Sequence, residues 1–391
     1  MSMQLINRLT CATAIDKICS DLIVDDKETF DLGIVFFAQQ NQATIKELIH
    51  RLKVATFTPT ILSCACGGII GSHQEIEFQP GISLLLMKLP SVKVTPFTLN
   101  QTQIEQFKTM EEWYHFFDIF PNEQPVFFVF PAPFEFDIAR FIEGINGAYP
   151  GCAVVGGMAS ASSIPNENLL FLNDTHYTQG LVGVVLRGDI KIQTLVSQGC
   201  RPIGETQIIT KAKGNVIYEL ASQPFLNVLR SMIDQLPERD KRLAQEALFV
   251  GLAISEYRDA YKRGDFLVRG LLAVDPKSGA GLIGDRVNTG QTIQFHVRDA
   301  HTATEDLHAL LESYRPQIIQ RKPEGAFLFS CNGRGEGLFG EKNHDINILQ
   351  KYLGQLPVGG FFCAGEIGPV AGVNFIHGFT DSIAFFYPKE K

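Results

Sequence analysis

No uninterrupted apolar run in this sequence approaches the roughly 18 residues needed to span a bilayer. The opening segment, MSMQLINRLTCATAID, also lacks an apolar core of signal-peptide length. A soluble cytoplasmic protein without a membrane partner is the expectation. Charge is sparse, at 19% of residues with a net of -8, and Lys and Arg are scattered rather than clustered, so nucleic acid is not expected as a partner. There is no G-x-x-x-x-G-K-[ST] phosphate loop and no dinucleotide fingerprint in a βαβ context. Cys64 and Cys66 form a single CxC with no second pair, and the nine histidines show no HxxxH spacing, so no metal site is expected. Eight cysteines in 391 residues do not make a disulfide framework. Cys152 and Cys363 lie inside apolar strand patterns, where a thiol behaves as a small hydrophobe, and the compartment reads as reducing.

What the chain has in quantity is apolar sequence, 45% of residues, over a length that exceeds one ordinary core. Two domains are therefore expected. Residues 325–386 set out an order of parts: a buried strand at 326–329, a glycine-rich loop, a helix, a second strand opened by Pro357, and a third strand from Gly378. The same order recurs twice earlier. Leu32 to Ala38 reads as a strand covered on both faces, and Ile45, Leu48, Ile49 and Leu52 at i, i+3, i+4 and i+7 predict an amphipathic helix. Pro59, the strand at 60–65, Gly67 and Gly68, and the strand at 82–87 complete that copy. The other copy runs from Val126 through the helix carrying Ile138, Phe141, Ile142 and Ile145 to Gly156, Gly157 and the strand at 181–186. Asp25 and Asp26 mark a break after a lead-in helix.

Between the second and third copies the texture changes. Residues 199–204 read as a rigid loop, 225–236 and 239–247 as helices, and 275–279 as a hairpin turn between strands. Ile293, Phe295 and Val297 alternate with Gln294, His296 and Arg298, which puts His296 on a polar, solvated face; His176 beside Tyr177 reads the same way. Thr302 with Glu305 predicts a capping box for a helix that Pro316 ends or kinks. The polar stretch 211–223 divides the chain into 1–212 and 213–391. The fold class expected is α+β: two domains of duplicated strand-helix-strand units, with mixed sheets covered by helices.

Chemistry concentrates on glycine-rich turns. Cys331, Asn332, Arg334 and Gly335 follow a buried strand, where glycines let backbone NH groups approach a ligand and Arg334 can fork onto a carboxylate or phosphate. The competing reading pairs Arg334 with a structural acid. Glu366, between Gly365 and Gly368, needs a partner in so apolar a setting, either a cation or backbone NH groups. Arg201 and Glu205 bracket a stiff turn suited to a binding loop or a structural salt bridge. Cys331 with His377 would make an acyl-transfer site if the fold joined them, but no acid or oxyanion motif supports it.

SCACGGIIGSHQEIE (63–77), SQGCRPIGE (197–205), FSCNGRG with LFG, PVGGFFCAGEIGPV and NFIHGFTDSIAFF (329–386) together resemble the FIST sensory proteins, which join a FIST N to a FIST C domain. The resemblance implies a sensor, not an enzyme, that binds a small ligand such as an amino acid and needs no cofactor. With no output domain in the chain, the signal would leave through a separate signalling protein. It also implies two branches, a haem-binding nitric oxide sensor and a protein-interaction scaffold. Carried onto this chain, the ligand-binding residues are Cys331, Asn332, Arg334, Gly335, Glu366 and Arg201.

Overall fold

The computed structural model describes residues 2–23, 28–258, 260–262 and 264–389, so the break at Asp25 and Asp26 lies outside the described residues. The class is α+β with mixed sheets, as expected. Contacts divide the chain into two compact units, Met1–Val196 with Ala309–Ile376 and Thr380–Lys391, and Ser197–His308 with His377–Phe379. The second unit is thus an insertion into the first. A cut at 212/213 falls at the end of the strand Cys200–Lys213, within the second unit, because the polar stretch there is a hairpin: Lys213 pairs with Val216 and Ile209 with Leu220.

The first unit holds all three copies of the repeat. In each, a strand, a helix, a parallel strand, a two-stranded hairpin and an antiparallel return strand follow in order. The first strands Leu32–Ala38, Val126–Pro131 and Gly325–Cys331 are covered on both faces, which is why they read as near-continuous apolar runs. On the outer face lie the helices Gln42–Thr56 and Ile138–Ala148, each burying the apolar stripe read from its spacing. On the inner face the three sheets share one core. The hairpins are exchanged in a cycle: Gly68–Ile70 adds to the third sheet beside 360–362, Leu170–Leu172 to the first beside 62–64, and Glu366 with Ile367 to the second beside Gly157 and Gly156. Edge strands that carry no repeat pattern, Gln4–Thr10 and Val92–Leu99, flank the return strands of the first two copies.

Register fixes which residues correspond. Val35 pairs with Ser63, Val129 with Gly156 and Leu328 with Gly360. One residue further on, Phe36, Phe130 and Phe329 meet edge-on or tilted at the centre, with ring centroids 5.3, 6.3 and 6.2 Å apart. Gly156 and Gly360 are required by this geometry, since a Cβ at either would overlap the carbonyl oxygen of Val129 or Leu328 on the neighbouring strand. Gly360→Ala is expected to cost about 3 kcal/mol by forcing the strands apart, measurable as a lowered urea midpoint at unchanged slope.

The second unit is a closed antiparallel sheet in the order Cys200–Lys213, Thr292–Arg298, Leu248–Ala253, Phe266–Val274, Gly281–Ile283 and Val216–Leu220, the last pairing back to the first. The helices Phe225–Gln235 and Glu238–Glu246 belong to it. The rigid loop expected at 199–204 is strand instead: Cys200 to Ile203 pair with Arg298 to Phe295, and the register slips between Ile203 and Gln207 where Gly204 takes φ 61°. The Pro and Gly of that stretch make a bulge rather than an end. The helix Ala300–Gln320 is capped by Asp299, which accepts from the Thr302 amide at 2.9 Å, and it continues past Pro316.

His296 is buried, not solvated. On the neighbouring strand its register partner is Phe249, and Gly251, two residues further on, leaves by its missing side chain the room that the imidazole fills against Phe266. Burial pushes its pKa down to about 4, only partly offset by the Gln294 carbonyl. The unfolded chain therefore binds a proton between pH 6.5 and 4 that the folded unit refuses. Stability of this unit is expected to fall by about 3 kcal/mol as pH drops through that window, and His296→Gln should flatten the profile of denaturation against pH.

Candidate functional site

The third repeat departs from its sisters at the ends of its strands. Where the first pairs Phe37 with Ile82 and the second pairs Pro131 with Leu181, the third pairs Ser330 with Asp381. Both polar residues are fully buried. The chain after Cys331 then turns inward, with the Arg334 amide donating to the Cys331 carbonyl, and sends Arg334 beneath the loop.

Arg334 and its partners have no exposed side-chain surface. Its Nε and Nη2 donate to the two oxygens of Asp345 at 2.8 and 2.7 Å, and Nη2 stands 2.8 Å from Asp381 Oδ2. Asp345 comes from the first turn of the helix His344–Leu353, where a carboxylate is favoured. The guanidinium lies 5.2 Å from the Phe339 ring centroid, and Phe339 stacks on His344, whose Nδ1 is 2.9 Å from Asp345. Among the described residues Arg334 Nη1 has no hydrogen-bond partner, and Asp381 is held chiefly by the charge of Arg334.

The exchanged hairpin of the first repeat closes the far side. Glu75 accepts from the Ile346 amide at 2.7 Å, and Glu77 from the Glu336 amide at 2.9 Å. Gly335 takes φ 69° with Glu77 against its Cα, so a side chain there would meet that carboxylate. Burial pushes the Glu75 carboxyl up, helped by Asp345, and burial also pushes Asp381 up against the pull of Arg334. Burial works the same way on Asp345, but Arg334 outweighs it and holds this carboxyl well below the usual range. The cluster is one guanidinium–carboxylate pair among carboxyls that favour their neutral forms.

Glu366 is fully buried, accepting from Thr380 Oγ1 at 2.8 Å and its amide at 3.1 Å, with Cys363 Sγ 3.5 Å from its other oxygen. Burial pushes it up to about 7, moderated by Thr380. Its folded value lies above the unfolded one, so its contribution is complete below pH 4.5 and is lost as pH rises through 7. Glu366→Gln is expected to remove about 3 kcal/mol of the loss of first-unit stability between pH 4.5 and 7, read from urea midpoints across pH.

Above the sealed layer is an open lip. Asn332, Gly333, Gly67 and Ala364 are exposed, and Cys331 and Ser160 are half-buried. Ser160 Oγ accepts from the Gly67 amide at 3.0 Å and donates to the Phe362 carbonyl, while the Asn332 amide donates to the Cys363 carbonyl at 2.9 Å. A Cβ on Gly67 would stand 3.0 Å from Asn332 Oδ1. Loops from all three repeats thus meet where Asn332 sits.

Of the residues expected from sequence, Cys331, Asn332, Arg334, Gly335 and Glu366 all lie in this region of the first unit. Arg201 lies in the second, paired with Asp240 and with Asp299 at 3.3 Å, the acid that caps the helix after it. Arg334 is paired with structural acids, so a ligand carboxylate reaches it only by displacing Asp345 or Asp381. Cys331 and His377 fall in different units. Asp345, Asp381 and Ser160 were not anticipated; the signal for Asp381 was an acid inside the apolar strand TDSIAFF.

Surface clefts of about 360 Å³ beside Trp113 and Arg140 and about 420 Å³ beside Glu205 and Met232 have neither histidine nor cysteine in their walls, and neither fits a haem held by those ligands. Among the described residues no group of three or more His, Cys, Asp or Glu is arranged to hold a metal, and no helix is long and apolar enough to cross a membrane.

Residues 31–223 match the FIST N domain and residues 226–369 the FIST C domain. An uncharacterized protein of Mycobacterium tuberculosis is 36% identical over 355 residues, 91% of each chain, and one of Mycobacterium bovis is 37% identical over 328 residues, 84% of this chain and 83% of that one. An F-box/LRR-repeat protein of Arabidopsis thaliana is 36% identical over 88 residues, 22% of this chain and 17% of its own. The chain belongs to the FIST family, whose domains are associated with sensory signal transduction and small-ligand binding rather than catalysis.

Proposed function

We propose that this protein is a sensor that binds a small amine-bearing metabolite, an amino acid or a close relative, at the lip around Cys331 and Asn332, and hands the signal to a separate partner protein. The observation that carries the reading is the asymmetry among the repeats: two close their strand ends with apolar pairs, and the third buries Arg334, Asp345 and Asp381 at the same place. A buried ion pair is seldom the most stable way to fill a core, so its presence in one repeat of three points to a use other than stability. In this reading Arg334 and Gly335 hold the loop from below, and Asn332 and Cys331 meet the ligand. The uncharged lip suits a zwitterion better than a strong anion.

The test is a thermal-shift screen of the full chain against amino acids, amines and nucleotides, followed by titration of the ligand found. Asn332→Ala should weaken its affinity about tenfold or more. A ligand that binds wild type and Asn332→Ala equally, with Cys331→Ala also unchanged, would remove the site from this part of the molecule.

A further inference from the structure

We propose that Cys331 and Cys363 form a redox pair that a hydroperoxide closes to a disulfide and a thiol reductant reopens. None of the eight cysteines is in a disulfide, but these two end neighbouring parallel strands as direct register partners. Register partners project to the same face. Two residues back on each strand, Phe329 and Phe361 confirm this face, with ring centroids 5.7 Å apart. Neighbouring strands run about 4.7–4.9 Å apart, within the roughly 4.4–6.8 Å between Cα atoms that a disulfide spans.

The two sulfurs have different surroundings, as an attacking and a resolving thiol should. Cys331 is half-buried on the lip, where an oxidant reaches it, whereas Cys363 is fully buried. Cys363 Sγ lies 3.2 Å from the Ser330 carbonyl and 3.5 Å from Glu366 Oε1. Burial pushes the Cys363 thiol up, so it attacks only if its proton leaves in the same step, and Glu366 is the adjacent carboxyl that takes it. The first repeat has Ala38 with Cys66 at these positions and the second Ala132 with Ala159, so only the third carries the dithiol.

The chemistry balances. The Cys331 thiolate attacks an oxygen of the hydroperoxide, the O–O bond breaks, and Cys331 becomes a sulfenic acid while the other oxygen leaves as alcohol or water. The Cys363 sulfur then attacks Cys331 Sγ and displaces hydroxide. Its proton passes to Glu366, and hydroxide leaves as water after taking up a proton. Two thiols and one hydroperoxide give one disulfide, one water and one alcohol. This inference does not depend on a ligand occupying the lip.

The experiment treats the reduced full chain with hydrogen peroxide, caps remaining thiols with N-ethylmaleimide, and maps peptides without reduction. The expected result is a peptide joining Cys331 to Cys363 that dithiothreitol dissolves. Cys363→Ser should stop Cys331 at a sulfenic acid that dimedone captures, and Glu366→Gln should slow disulfide closure about tenfold or more without slowing sulfenic acid formation. Oxidation of Cys331 to sulfinic acid while Cys363 remains open to capping after denaturation would overturn the proposal. So would a disulfide that joins other cysteines.

Discussion

Arg334→Leu is expected to lower the stability of the first unit by about 3–5 kcal/mol, a fall in Tm on the order of 10 °C. The reason is what remains behind. Asp345 is held ionised by Arg334 through two aligned hydrogen bonds, and neither residue has any exposed side-chain surface. Removing the guanidinium strands that carboxyl among Asp381 and Glu75, which must all take up protons or unfold. Arg334→Lys should lose less, since it keeps the charge and forfeits the two-pronged geometry. The triple replacement Arg334→Met, Asp345→Leu and Asp381→Leu should recover most of the loss, because it gives the third repeat the apolar filling that Ile82 and Leu181 give the other two. Urea denaturation of the three variants and wild type measures all of this. A stable Arg334→Leu protein would mean that the ion pair contributes nothing to the loop it sits under.

The second large effect concerns the Phe triad. Phe36→Ala, Phe130→Ala and Phe329→Ala should each cost about 3–5 kcal/mol, because each ring is fully buried and touches the other two. The three costs should be similar, since the positions correspond by register. The double variant Phe36→Ala with Phe130→Ala should cost less than the sum, because the first substitution already removes the contact between the two rings. A cost below about 1 kcal/mol at any one of the three would show that the repeats do not share a core there.

The repeat was legible because its apolar runs are bounded by glycine and proline at similar intervals, and that punctuation survives where identity does not. The amphipathic helices followed from their spacing for the same reason. The exchange of hairpins was not legible, since nothing in Gly68–Ile70 or Leu170–Leu172 says which sheet each will join. The strand Cys200–Lys213 was hidden by Pro202 and Gly204, which a bulge accommodates as readily as a loop. His296 misled because alternation reports only one strand, and the decisive residue, Gly251, is on its neighbour. At the site, glycines and charges marked the loop 331–335 and the turn around Glu366. Which acid Arg334 would meet depended on tertiary pairing, through a helix start at Asp345 and a return strand at Asp381.

The most direct test of the account is thermal denaturation of wild type and Asn332→Ala with and without the amine-bearing metabolite that the screen identifies. At a concentration near 100 times its Kd, the ligand should stabilise wild type by about 2.7 kcal/mol. The Asn332→Ala protein, equally folded without ligand, should gain about half as much or less. Equal gains in the two proteins would contradict the assignment of the third repeat's lip as the sensing site.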